Sequence, residues 1–284
     1  MHPIATPNSG LSSAEQAAMA LVLALIEQRP SEAAQAPPGT TKIAVDLAAK
    51  HQVSALMHAG LHKSHANAHF SPEDLQRLTA AANSAAIFET SHAKECATVF
   101  KQLDEARIPF VVFKGTHLAY TLYPSPYLRE RCDTDILFRS KNDALKAIQL
   151  FKTRGYEVPE TMDADLYSYE KDLLKRDALG IGHAFDFHWK VRSDNLFADF
   201  ISFDDLYHSG TSNIAGQKVH VPSLSQALLI AATHRLSHAA EGLANQLYWL
   251  KAFSCCSASY PGKIGTKHFG SRRRMGSVMR FSTL

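Results

Sequence analysis

Cysteine is scarce in this 284-residue chain: Cys96, Cys132, Cys255 and Cys256 are its four, and none form a CxxC pair. That is too sparse for a disulfide framework in a chain this long, and it argues against a structural zinc site built on cysteine. Long apolar runs are also missing. No stretch approaches the roughly 18 to 20 uninterrupted apolar residues of a membrane-spanning helix, and the opening MHPIATPNSGLSS lacks the basic-then-apolar layout of a signal peptide. The expected location is therefore cytoplasmic, with no membrane partner. No internal repeat is found. Acidic residues stop at Glu241, whereas Lys251, Lys263, Lys267, Arg272, Arg273, Arg274 and Arg280 all follow it. The formal charge of +3 thus belongs to the tail, and the first 241 residues carry 23 basic against 27 acidic side chains, a net −4. That balance does not support a general basic surface for long nucleic acid.

What is present is an ordinary globular composition, 45% hydrophobic and 20% charged, long enough for one large or two modest domains. Dense apolar residues from Ser13 to about Arg29 predict a helix capped by Ser12 or Ser13 and ended by Pro30. PSEAAQAPPGTT reads as a loop, followed by two helices that break near Gln52. Ser71, Pro72 and Glu73 stand in the order of cap, first helical position and first-turn acid, and open a long Ala-rich helix through Ala106. The pattern then changes to short β-branched and aromatic runs. IPFVVFKG (108–115), DTDILF (133–138) and YEVPE predict strands, with a short helix over THLAYTLY and a capped helix over SKNDALKAIQLFKTRG between them. SYEKDLLKRD and GHAFDFHWKVR predict an antiparallel hairpin around 178–182. GQKVHVP (216–222) is a further strand before the helix SLSQALLIAATHRLSHAA.

The densest chemistry lies at Asp133-Thr134-Asp135, at the start of an apolar strand. Residues two apart on a strand share a face, so both carboxylates can reach one divalent cation. The same alternation pairs Asp186 with His188 in FDFHW and sends Phe185 and Phe187 to the core. Three carboxylates on neighbouring strands suit Mg²⁺, which takes oxygen ligands and bridges acids to phosphate. In a two-metal transfer one ion holds a triphosphate and the other lowers the pKa of the attacking hydroxyl. Lys114-Gly115-Thr116 sits at a strand-to-helix junction, where glycine allows close backbone approach and exposed helix amides attract anions. Arg129, four residues before Asp133, adds a phosphate clamp.

The stretch FVVFKGTHLAYTLYPSPYLRERCDTDILF, then a helix ending RGY and later FDFHW, resembles the uncharacterised nucleotidyltransferase family of the polymerase-β superfamily. That family's pattern is an apolar strand ending Lys-Gly, then Tyr-Pro, then Arg four residues before Asp-x-Asp, then Asp-x-His-Trp. The motifs run from about Ala48 to Leu250. The resemblance implies an α+β class, a minimal nucleotidyltransferase mixed sheet flanked by helices. It divides into a helical region over 1–106, the α/β core over 107–192, a helical region over 193–250 and a basic tail over 251–284. It implies Asp133, Asp135 and Asp186 as catalytic metal ligands for Mg²⁺ or Mn²⁺, with His188 supporting. Lys114, Gly115, Thr116 and Arg129 would bind the NTP. Its acceptor would be a small molecule, sugar or protein. Lys114-Gly115 stands where better-known members of the superfamily carry Gly-Ser. Two further readings stay open: a non-catalytic nucleotide-binding or interaction module of the same fold, and a member disabled by C-terminal truncation.

Other signals read more plainly. His234 and His238 are spaced as in zinc hydrolases, but Arg235 replaces the essential Glu, so the pair reads as a polar helix face. His58, His62, His65 and His69 recur at helical spacing and read as a solvated helix end, with a transition-metal site as the alternative. Cys132 reads as a small core residue, and His188 as a support for Asp186 or Trp189. After NQLYWL the motifs stop, and the tail has no helical period; it reads as disordered, either because it is translated out of frame or as a genuine basic tail that touches anionic partners.

Overall fold

The computed structural model describes residues 12–33, 36–37, 39–64, 66–159, 169–191, 200–237 and Leu247. The N-terminal part is helical: α1 (Ser13–Ile26), α2 (Pro30–Ala33), α3 (Thr40–Lys50), α4 (Ser54–Ser64) and α5 (Pro72–Glu105). Two of these helices start on serine caps, as the sequence predicts. Ser12 accepts from the Glu15 amide while Glu15 accepts from the Ser12 amide, a capping box, and Ser71 accepts from the Asp74 amide. The break near Gln52 is a left-handed residue with φ +53° between α3 and α4. Pro30 does more than end α1. It opens the short α2 inside the stretch expected to be a loop, because proline's fixed φ suits a first helical position.

A mixed sheet follows, built from β1 (Phe110–Val112), β2 (Asp133–Phe138), β3 (Glu170–Arg176), β4 (Gly182–His188), β5 (Thr211–Ile214) and β6 (Gln217–His220). Its order is β3-β4-β2-β1-β6-β5. β2 runs parallel to β4 and β1 parallel to β6, while β1–β2, β3–β4 and β5–β6 are antiparallel. The remaining helices are α6 (Lys114–Leu122), α7 (Lys141–Lys152, capped by Ser140), α8 (Phe203–Tyr207) and α9 (Leu224–Ser237). Two expectations change here. YEVPE supplies only a bridge, Glu157 to Leu174, at the sheet's edge. The region 193–250 is not helical throughout: β5 and β6 turn through Ala215 and Gly216, both at positive φ, and return to the sheet beside β1.

Two apolar clusters hold these layers. One gathers α1, α3 and α4 around Leu25, Met57 and Leu61; the other sets Ile136, Phe138, Phe185 and Phe187 of the sheet against α5 and α7. Helix α5, about 50 Å long at 34 residues, joins them: Leu78 near its start lies in the first cluster, and Cys96, Val99, Phe100 and Leu103 lie in the second. The opposite sheet face carries Val111, Phe113 and Leu137 against Phe203, Leu206 and Ile230. Asp133 and Asp135 of β2 and Asp186 and His188 of β4 share that second face, whereas Thr134 and His183 face α5 and meet His92. Residues 251–284, with their expected disorder and out-of-frame reading, lie outside the described residues.

Candidate active site

Strand alternation sorts β2 cleanly. Ile136 and Phe138 point into the core under α5 and α7, so Asp133 and Asp135 point to the other face with Leu137. The parallel register then sets Asp135 beside Asp186 and Leu137 beside His188, and antiparallel β3 sets Asp172 opposite Asp186 and Glu170 opposite His188. Glu170 and Asp172 are additions that sequence reading missed. Their only signal is the alternation Glu-Lys-Asp, which is as common on a solvated strand.

The tightest group consists of Asp135, Asp186 and His188, which each offer a donor atom within 4.8 Å of the others. His188 thus takes the place in that group expected for Asp133. It also supports a different acid from the one expected. Its Nε2 lies 2.9 Å from Asp135 Oδ1, and Glu170 Oε2 lies 2.9 Å from its Nδ1. Lys114 Nζ donates to the same Asp135 Oδ1 at 2.7 Å and lies 3.4 Å from His188 Nε2.

These contacts set the charges. Burial opposes ionisation of Asp135, but Lys114 and His188 outweigh it and hold the carboxyl well below its usual range. Burial, then the charges of Asp135 and Asp133, push Asp186 up to about 8. Burial and Asp135 push Asp133 up to about 6. One acid is therefore neutralised by Lys114, and the other two sit in an excess of negative charge that a divalent cation relieves. The carboxylates of Asp133, Asp135 and Asp186 on one sheet face are the oxygen donors that Mg²⁺ or Mn²⁺ takes, so the residues fit the metal that the sequence implies, with the His188 imidazole hydrogen-bonded to Asp135.

The turn at 114–116 divides its roles. Lys114 adopts φ +51°, a conformation costing a non-glycine residue on the order of 1 kcal/mol, and aims its side chain back at β2. At Gly115 no atom of the chain comes within 3.8 Å of where a Cβ would sit, the closest being Arg131 Cδ. The protein itself does not require glycine there, whereas an anion approaching the backbone would. Thr116 corrects an expectation: it is fully buried, and its hydroxyl meets Thr134 Oγ1 at 2.9 Å and accepts from Arg131 Nε at 3.1 Å. Its side chain is committed to the interior and only its backbone faces the turn.

Arg131, absent from the expected set, is more central than its neighbour Arg129. It makes a buried ion pair with Glu89 of α5 at 2.7 Å. Arg129 is buried, and its Nη1 donates to the Glu130 carbonyl at 2.6 Å. Both arginines line a cavity of about 320 Å³ between α5 and residues 127–131, walled by Phe88 and Tyr127. Glu130 anchors this segment by accepting from the Ala55 amide at the start of α4.

With this geometry in view, the family model described as uncharacterised nucleotidyltransferase matches residues 41–277. The chain belongs to that family. The match continues past Leu250, so the nucleotidyltransferase resemblance reaches further than the local motifs do. No curated protein matches the chain. Among solved structures, an antigenic nucleotidyltransferase-like protein from Paracoccidioides brasiliensis is 16% identical, with a TM-score of 0.42 over 62% of this chain and 78% of that one. ANT(2″)-Ia in complex with adenylyl-2″-tobramycin is 14% identical, with a TM-score of 0.40 over 60% of this chain and 89% of that one.

Among the described residues, the other histidine and cysteine signals are not part of the group formed by Asp135, Asp186 and His188. His58 and His62 face each other on α4, with Nε2 atoms 3.1 Å apart. His69 lies in a short 3₁₀ turn, and His65 and His238 lie outside the described residues. Cys132, expected in the core, is exposed. Among the described residues, no helix is long and apolar enough to cross a membrane.

Proposed function

We propose that this protein is a cytoplasmic nucleotidyltransferase dependent on Mg²⁺ or Mn²⁺, which moves a nucleoside monophosphate from an NTP to an acceptor hydroxyl. The acceptor oxygen forms a bond to the α-phosphorus, the bond from that phosphorus to the bridging oxygen breaks, and pyrophosphate leaves. The observation that carries the reading is the convergence of Asp135, Asp186 and His188 within 4.8 Å, beside Lys114 at the start of α6. A bound divalent ion would supply charge neutralisation for the triphosphate and would acidify the acceptor hydroxyl. Asp135, Asp186 and Asp133 would hold it. His188, fixed by Glu170, orients Asp135. Asp186 is the acid best placed to take the acceptor proton, because its neighbours raise its affinity for one. The Gly115 and Thr116 amides at the start of α6 favour phosphate oxygens, with Lys114 and Arg129 as cationic partners. The net −4 of the first 241 residues favours a small-molecule, sugar or protein acceptor over long nucleic acid.

The Lys114–Asp135 ion pair also supports a second reading, a module that binds nucleotide without turnover. One set of measurements separates them: calorimetric titration with each of the four NTPs, with and without Mg²⁺, on wild type and on an Asp133→Asn/Asp135→Asn variant matched for thermal stability. Metal-dependent binding that disappears in the variant and is accompanied by pyrophosphate release is the expected result. Binding without release supports the module, and no binding by folded wild type refutes both.

A further inference from the structure

We infer that Lys114 is a resident counter-ion: its ammonium holds the cation position among the carboxylates of the resting protein, and a divalent ion must displace it. The inference rests on the metal-dependent reading above. Its ground is geometric. Lys114 Nζ stands 2.7 Å from Asp135 Oδ1 and 3.4 Å from His188 Nε2, two of the three donor groups that could hold an ion. Mg²⁺ binds oxygen at about 2.1 Å, so an ion on that face of Asp135 and the ammonium would claim overlapping space. The pair is also enclosed, with the side chains 15% and 7% exposed, so water does not substitute easily for either partner.

The backbone agrees. Lys114 begins α6, yet its left-handed φ of +51° turns the side chain back onto β2. A residue recruited only for phosphate at the helix start has no need of that conformation. A divalent ion in place of the ammonium brings one more positive charge to Asp133, Asp135 and Asp186. The exchange is electrostatically downhill, and it frees the lysine beside the Gly115 turn, where the triphosphate carries the charge it lost. Metal and nucleotide binding are coupled through one side chain as a result: the ion releases the lysine and phosphate rewards the release.

The test uses Mn²⁺ alone, counted by electron paramagnetic resonance on the full chain without nucleotide. Lys114→Met, similar in length and uncharged, is expected to bind Mn²⁺ at least tenfold more tightly than wild type. Lys101→Met, which removes an exposed lysine of α5 paired only with Glu105, is expected to change affinity less than threefold. Because the methionine variant leaves Asp135 without its partner, a second measurement uses wild type only: pulse acetylation of lysines, read by peptide mass spectrometry. Lys114 is expected to react at least fivefold faster when Mn²⁺ saturates the protein. Equal Mn²⁺ affinity in wild type and Lys114→Met, or Lys114 acetylation that Mn²⁺ leaves unchanged, overturns the counter-ion role while leaving the metal site standing. Absence of Mn²⁺ binding in every folded form overturns both.

Discussion

Glu89→Gln probes the support beneath the site without touching any of its acids. Glu89 Oε2 lies 2.7 Å from Arg131 Nη1, and the two side chains are 10% and 4% exposed. Its other oxygen accepts from the Tyr120 hydroxyl at 2.6 Å. Glutamine keeps the shape but removes the charge, and leaves Arg131 buried with no opposing carboxylate. Breaking such a pair costs on the order of 3 kcal/mol, because the remaining charge keeps its desolvation penalty and loses its compensation. For a chain of this size that corresponds to a fall in melting temperature of roughly 6 to 12 °C. Differential scanning calorimetry measures the fall, and urea midpoints give the free energy. The double variant Glu89→Gln/Arg131→Met removes both charges and is expected to recover at least half of the loss. Arg131 also lies over Gly115 and holds the Thr116 hydroxyl, so Glu89→Gln is expected to weaken metal-dependent nucleotide binding as well. A single variant within about 1 kcal/mol of wild type, or a double variant no better than the single, refutes the argument.

Three further expectations follow from other parts of the structure. His92 and His117 are buried and neutral, their pKa values pushed down by burial to about 3 and about 4, below the unfolded value of about 6.5. The unfolded chain then binds more protons than the folded one between those limits, so each histidine withdraws up to about 1.4 kcal/mol per pH unit as pH falls from 6.5. Urea midpoints between pH 6.5 and 4.5 are expected to fall more steeply in wild type than in His92→Gln/His117→Gln; the comparison cancels the opposite trend from the raised Asp133 carboxyl, and equal slopes contradict it. Gly60 lets α4 touch α1: an added Cβ would stand 2.1 Å from the Leu25 carbonyl oxygen, so Gly60→Ala is expected to cost about 1 to 3 kcal/mol in chemical denaturation. A neutral result there means the helices separate freely. Asp186→Asn removes one of three crowded acids, so metal-free thermal stability at neutral pH is expected to hold or rise while Mg²⁺-dependent nucleotide binding is lost; a marked drop in stability would assign Asp186 a structural role instead.

Much of this protein is written locally. Ser12, Ser71 and Ser140 begin helices because a short side-chain acceptor satisfies amides only two or three residues away. DTDILF and GHAFDFH form strands whose alternation separates acids from core phenylalanines before any partner strand is known. Asp133, Asp135, Asp186 and the family itself are legible for that reason. The pairing of strands is not local, and neither are its consequences. Only the register of β4 on β2 makes Asp135 rather than Asp133 the centre of the tight group, and only the register of β3 on β4 brings Glu170 and Asp172 to it. Only packing on α5 turns the Thr116 hydroxyl inward and makes Arg131 part of the site's foundation. The direction of Lys114 is settled last, because a flexible side chain takes its position from the charge it finds, and that charge exists only once the strands have been brought together.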